Sequence, residues 1–342
     1  MSRIAVVLFN LGGPDGPKAV RPFLKNLFSD PAIIGAPGLV RMALAELISR
    51  IREKSAIANY AVMGGASPLN AETAAQAQAL AARLARLRPD DEIKLFVAMR
   101  YWNPLTEQTA AEVARFEPDE VVLLPLYPQF STTTTASSLR VWKARYAGPG
   151  RQHAICCYSD LDAFAEAHAA LIREAWETAG SPERLRLLFS AHGIPQSISD
   201  SGDPYRWQVE RTCAAVAAKL ERRWDWRICY QSRVGPMKWL GPSTIEEIER
   251  AAADGVGVVI DPIAFVSEHV ETLVELDRDY AELARKAGVA PYIRVQALGV
   301  QPRFIEGLAG LVEQALAGPE LAAGATPCEA GLSRCALRTL AA

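Results

Sequence analysis

Short apolar runs bounded by turn residues alternate along the chain with longer alanine-rich stretches of helical period. The runs at 4–10, 94–100, 120–125, 153–158, 186–190, 227–231, 257–261 and 293–297 predict β-strands. The stretches at 71–87, 106–116, 161–179, 205–224, 244–253 and 268–287 predict helices. The strands are apolar throughout rather than alternating, which predicts parallel sheets covered on both faces. The halves echo one another: VLFNLGG at 7–13 and LLFSAHG at 187–193, VVLLPL at 121–126 and VVIDPI at 258–263. A third strand stands between each pair, FVAMRYWNP at 96–104 and ICYQSRVGP at 228–236. The pattern predicts two similar α/β domains, 1–150 and 151–300, divided at the turn-rich segment 148–152.

Length and charge narrow the classes. The 342 residues suit two domains of ~100–200 residues each. Half the residues are hydrophobic and 22% are charged, which supports a sizeable core. Lysine and arginine number 37 against 39 acids, so no basic surplus exists to bind nucleic acid. The apolar run 4–9 is too short for a signal-peptide core and reads as a first strand. No run reaches the ~18 apolar residues of a membrane span. The nearest, 31–51, is broken by prolines, glycines, Arg41, Glu46 and Arg50; it reads as a soluble segment able to touch a membrane or an apolar ligand. The adjacent pair Cys156 and Cys157 is poor spacing for a disulfide scaffold, so the default compartment is the cytoplasm. No GxGxxG or Walker motif follows the first strand; NLGGPDGP at 10–17 places prolines where a phosphate-cradling helix would begin. The expected site is the cleft between the domains, beyond the carboxyl ends of the strands.

His192 stands at such a strand end, in SAHGIP. The strand at 257–261 leads to Ser267, a reasonable N-cap, and to a helix beginning Glu268, His269, Val270, Glu271. At 100° per residue Glu268, Glu271, Glu275 and Asp279 fall within about 80° of one another. No lysine or arginine shares that stripe, which points to a cation path or proton relay rather than a solvated face. Leu11, Tyr127, Phe130 and residues 237–240 are candidate walls. The chain has only four histidines. Carboxylate oxygens plus one imidazole suit weak, exchangeable binding of a divalent ion such as Fe²⁺.

Over about residues 4–315 the sequence resembles the ferrochelatases, which insert ferrous iron into a porphyrin to make haem. The resembling segments are LFNLGGPD at 8–15, GGASPLN at 64–70, AMRYWNPLTE at 98–107, LLPLYPQFSTTTTASS at 123–138, LLFSAHGIPQSISDSGDPY at 187–205, YQSRVGPMKWLGPST at 230–244 and DPIAFVSEHVETLVELD at 261–277. The resemblance implies two Rossmann-like, chelatase-type domains, each a parallel sheet flanked by helices, with the porphyrin in the cleft between them. It implies that 31–51 forms an apolar lip, that a helix at 301–316 packs back on the first domain, and that 317–342 is a flexible tail. His192 and Glu271 would face each other across the macrocycle as the catalytic, metal-handling pair. Glu275 would share the transient Fe²⁺, with Glu268 and Asp279 as an outer relay. Leu11, Arg100, Tyr101, Tyr127, Ser131 and Trp239 would contact substrate, and His269 would support structure. A pocket that bends the ring would expose the nitrogen lone pairs, with His192, of ordinary pKa ~6.5, as proton acceptor. The expected substrate is protoporphyrin IX and the product protohaem, with peripheral contact at the inner membrane through the lip. Alternatives are a chelatase for coproporphyrin or another tetrapyrrole, and a non-catalytic haem or porphyrin carrier.

Some members of that family hold a [2Fe–2S] cluster on one internal and three C-terminal cysteines. Here the candidates are Cys156, Cys157, Cys328 and Cys335, with Leu337 standing near where a third tail cysteine is expected. Cys213 and Cys229 read as core.

Overall fold

In the computed structural model, which describes all residues except 234, 323, 325 and 340–342, the chain forms two compact units. One comprises Met1–Tyr127, Ser131–Cys156 and Val312–Ala322; the other comprises Pro128–Phe130, Cys157–Leu311 and Ala323–Ala342.

The first unit runs β1 (Arg3–Asn10), α1 (Val20–Phe28), α2 (Gly38–Val62), α3 (Leu69–Leu87), β2 (Glu92–Met99), α4 (Thr106–Phe116), β3 (Glu120–Pro125), α5 (Thr135–Arg145) and β4 (Arg151–Ile155). Its parallel sheet has the order β2-β1-β3-β4, extended by a two-residue strand from the C-terminal region, Leu321–Ala322. The burial explains the sequence. Residues 4–9 of the central β1 have no exposed surface, so every position is apolar. The edge strand β2 alternates instead and carries Lys94, whose ammonium lies over the Phe96 ring. Phe9 packs edge-to-face on Trp142 at 5.8 Å, tying β1 to α5.

The second unit runs α6 (Asp162–Thr178), β5 (Leu185–His192), α7 (Gln196–Asp200), α8 (Tyr205–Ala218), β6 (Asp225–Gln231), α9 (Thr244–Ala253), β7 (Gly257–Asp261), a π-helix (Glu271–Tyr280), α10 (Ala281–Ala287) and β8 (Tyr292–Arg294). Its sheet is parallel, in the order β6-β5-β7-β8. Helix α11 (Pro302–Ala317) begins in this unit and ends in the first. Both sheets set their first strand between their second and third, so the two share a strand order. A strand flanked in this way opens a crevice at its carboxyl end. Strand β5 is buried from Leu185 to Ala191, and His192 is its first side chain to emerge.

One element departs from the expected pattern in a way that matters for the site. The helix expected over 268–287 starts at Glu271, and its first ten residues are π-helical. Ser267 does not cap it with its side chain. Its carbonyl faces His269 Nδ1 at 3.1 Å, and the His269 amide donates to Thr272 Oγ1 at 3.0 Å. The wider π-turn breaks the 100° spacing on which the four-acid stripe was drawn.

Candidate active site

The end of β5 and the start of the π-helix bring His192 and Glu271 together. His192 Nε2 lies 3.5 Å from Glu271 Oε1, and His269 Nε2 lies 3.5 Å from Glu271 Oε2. The carboxylate thus sits between two imidazoles, with the Phe265 ring beside both. His192 Nδ1 is 2.5 Å from the Gly193 carbonyl, which can only accept. That nitrogen therefore carries a proton, and Nε2 is the one turned to Glu271. Burial alone would lower the His192 pKa; the neighbouring Glu271 charge outweighs it and holds the pKa up at about 9. Burial would raise the Glu271 pKa; His192 and then His269 outweigh it and hold the carboxyl well below the usual range. At neutral pH the pair is an imidazolium facing a carboxylate, where the sequence suggested a histidine near its ordinary 6.5. His269, read as support, lies 3.5 Å from the Glu271 carboxylate.

The remaining expected relay is differently engaged. Glu275 accepts four hydrogen bonds: Ser232 N–H and Tyr280 O–H on Oε1, Gln231 Nε2–H and Ser232 O–H on Oε2. A carboxylate has about four lone-pair sites. With four accepted, Glu275 is an anchored acceptor. Glu268 pairs with Arg294 Nη1 at 2.7 Å and accepts from the Ala297 amide. Arg294 also grips Asp277, so the cation missing from the stripe arrives from β8. Asp279 is half-exposed and pairs with its neighbour Arg278. Glu275, Glu268 and Asp279, expected as metal or relay groups, thus each have a protein partner.

The other expected substrate residues lie at the carboxyl ends of the first unit's strands, except Trp239. Leu11 and Tyr127 are partly exposed after β1 and β3. Arg100 and Tyr101 follow β2, and both turn to Asp30. Arg100 Nη2 is 2.6 Å from Asp30 Oδ2 and its Nε donates to Ser137; Tyr101 O–H donates to Asp30 at 2.9 Å. Arg140 reaches the other Asp30 oxygen at 3.0 Å. Tyr101 is 1% exposed and Ser131 has no exposed surface. Phe130 is likewise buried. Asp30 itself carried no signal beyond one acid in an apolar segment. Trp239 does lie at the site: its ring is 3.3 Å from where a Cβ on Gly193 would stand, and its Nε1 is buried without a hydrogen-bond partner.

The expected lip becomes a turn and then α2, on which Leu39, Val40, Met42, Leu47 and Ile51 are exposed. Among the described residues no helix is long and apolar enough to cross a membrane. All six cysteines are buried thiols. Cys328 hydrogen-bonds Cys335, which together with burial pushes its pKa far up; Cys157 adds a smaller push. Gln208 Nε2 donates to Cys328 Sγ at 3.3 Å. Among the described residues no group of three or more His, Cys, Asp or Glu is set to hold a metal ion.

The profile of the ferrochelatase family matches residues 3–316. A ferrochelatase from Caulobacter vibrioides (strain NA1000 / CB15N) is 61% identical over 339 residues, 98% of each chain. One from Phenylobacterium zucineum is 59% identical over 341 residues, again 98% of each. The solved structure of SirB from Bacillus subtilis with Fe³⁺ is similar in fold alone, with a TM-score of 0.50 and 13% identity over 92% of this chain and 96% of that one. With the family profile spanning both sheets and relatives this close along the whole length, the chain belongs to the ferrochelatase family, lyases that insert ferrous iron into a porphyrin to make haem.

Proposed function

We propose that His192 and Glu271 are the reacting pair of this ferrochelatase and that its substrate is protoporphyrin IX. The observation that carries the pair is Glu271 held at 3.5 Å from both His192 and His269. Insertion exchanges two pyrrole N–H protons for one Fe²⁺, so charge balances when both protons leave. An imidazole and a carboxylate in contact supply a proton acceptor and a hard oxygen ligand in one place. Schemes in which either residue acts first fit this geometry.

The choice of porphyrin follows from charge. Arg100 and Arg140 share Asp30, which offsets much of their attraction for substrate carboxylates. That suits protoporphyrin, with two propionates, over coproporphyrin, with four. The exposed apolar row on α2, flanked by Arg41, Arg50 and Arg52, supports peripheral contact with an anionic lipid surface. One experiment reads both: an anaerobic insertion assay on protein floated with phosphatidylglycerol-containing vesicles. The expected result is co-flotation and a kcat/KM at least about tenfold higher for protoporphyrin IX than for coproporphyrin III. Preference for coproporphyrin would sink the substrate reading, and protein left in the soluble fraction would sink the lipid reading.

A [2Fe–2S] cluster fits the thiols in part. Cys335 and Cys157 both act on Cys328, and the crowding that keeps the Cys328 thiol neutral would reverse beside a cationic metal centre. With Cys156 as fourth donor they would hold it, supplying one-electron redox chemistry or structural support. Anaerobically purified protein is expected to show absorption at roughly 300–600 nm, lost in Cys328→Ser. Wild-type protein without those bands carries no cluster.

A further inference from the structure

We propose that Gln231 is a positioning residue that sets His192 and Glu271 against each other. It is the last residue of β6, pairs in register with His192 on β5, and is 1% exposed. Its backbone carbonyl accepts the Gly193 amide at 2.9 Å, fixing the residue that follows His192. A Cβ on Gly193 would stand 2.9 Å from that same carbonyl, so this close approach requires glycine.

The side chain reaches the other partner. Gln231 Nε2 donates to the Glu271 backbone carbonyl at 2.8 Å and to Glu275 Oε2 at 3.0 Å, while Oε1 accepts from Ser190 at 2.8 Å. The amide orientation is forced, because the two groups facing Nε2 are pure acceptors. One residue thus bonds the main chain on both sides of the pair. Glu275 completes the fastening. Its two bonds from Ser232 hold that residue at φ +62°, a left-handed conformation that serine adopts only when its surroundings impose it. Glu271 is the first residue of the π-helix. Gln231 and the anchored Glu275 fix its start to the end of the sheet.

This inference rests on His192 and Glu271 being the reacting pair. The test is Gln231→Met, which keeps the length and removes the bonds, with anaerobic Fe²⁺ insertion into protoporphyrin and fluorescence titration of porphyrin binding. The expected result is a kcat at least tenfold lower, a KM for Fe²⁺ at least threefold higher, and a porphyrin Kd within twofold of wild type. Loss of folded protein would lower kcat alone, so the metal KM separates positioning from a merely structural role. A metal KM within twofold of wild type overturns the proposal. If Gln231→Met does not fold, Ser190→Ala, which frees the amide oxygen, is expected to raise the metal KM about twofold, and an unchanged value is again contrary. His192→Ala run alongside separates the failures. An active His192→Ala overturns the pair itself, whereas an inactive one beside a wild-type-like Gln231→Met overturns only the role of Gln231.

Discussion

His192→Ala is expected to lower kcat for iron insertion by about 10²–10⁴-fold, the usual worth of a positioned acid–base group. Porphyrin binding should stay within about twofold, because binding energy comes mainly from the macrocycle surface and not from its centre. The substitution removes the group facing Glu271 Oε1 and leaves His269 on Oε2, so the acid keeps one partner and its place. Turnover by anaerobic assay and affinity by fluorescence quenching check the two halves. A variant that inserts iron at near wild-type rate would remove His192 from the chemistry. Stability gives a second reading with a definite sign. The His192 pKa is raised to about 9 in the folded chain. Its pairing therefore stabilises the fold fully below its unfolded value of ~6.5 and loses that contribution as pH rises through about 9. The unfolding midpoint of wild type should fall across that window relative to His192→Ala. The effect is modest, since the imidazole is 39% exposed and solvent screens the pair.

Local patterns in the sequence carry the sheets well. Strands β1, β5 and β7 are buried on both faces, so their runs are uninterrupted and their limits easy to see. The sequence brings His192 and Glu271 to notice because His192 ends buried strand β5 and Glu271 follows β7 after one loop, each in a segment resembling a family motif. What the sequence does not carry is the identity of partners far along the chain. Glu268 looked like an unpaired acid because Arg294 lies 26 residues away on another strand. Glu275 looked like an iron ligand because nothing in its own helix tells of the donors at Gln231 and Ser232. His269 is expected on a helix flank, but the helix starts at Glu271 and His269 lies in the turn before it. Tyr101 resembles a ligand-facing tyrosine at a strand end, but Asp30, 71 residues earlier, draws its hydroxyl inward. Period and propensity report the backbone; the roles of charged groups are set by packing between elements.

Asp30→Ala is expected to destabilise the first unit by about 3–5 kcal/mol, the cost of stranding a buried ion-pair partner. Asp30 is almost fully buried and accepts from Arg100, Tyr101, Ser137, Arg140 and the Ala32 amide. Its removal leaves Arg100, 16% exposed, and the buried Tyr101 hydroxyl without their acceptor. Arg140 is half-exposed and can turn to water, so its share of the loss is small. Asp30→Asn keeps the shape and several bonds but gives up the charge, and should cost less, about 1.5–3 kcal/mol. Urea unfolding checks both, with a lower midpoint at unchanged slope. An Asp30→Ala midpoint equal to wild type would mean that the cluster contributes nothing to the fold. The pH dependence has the opposite sign to that of His192. Burial would raise the Asp30 pKa, but Ser137, Ala32, Arg100 and Tyr101 outweigh it and the pKa is lowered. The stabilisation is therefore present above the unfolded value of ~3.9 and lost as pH falls through the folded one. The gap between wild type and Asp30→Ala should close in acid. Because the same carboxylate holds Arg100, just after β2, and Arg140, on α5, Asp30→Asn should also leave both cations less neutralised. It should then take coproporphyrin III relatively better than wild type does.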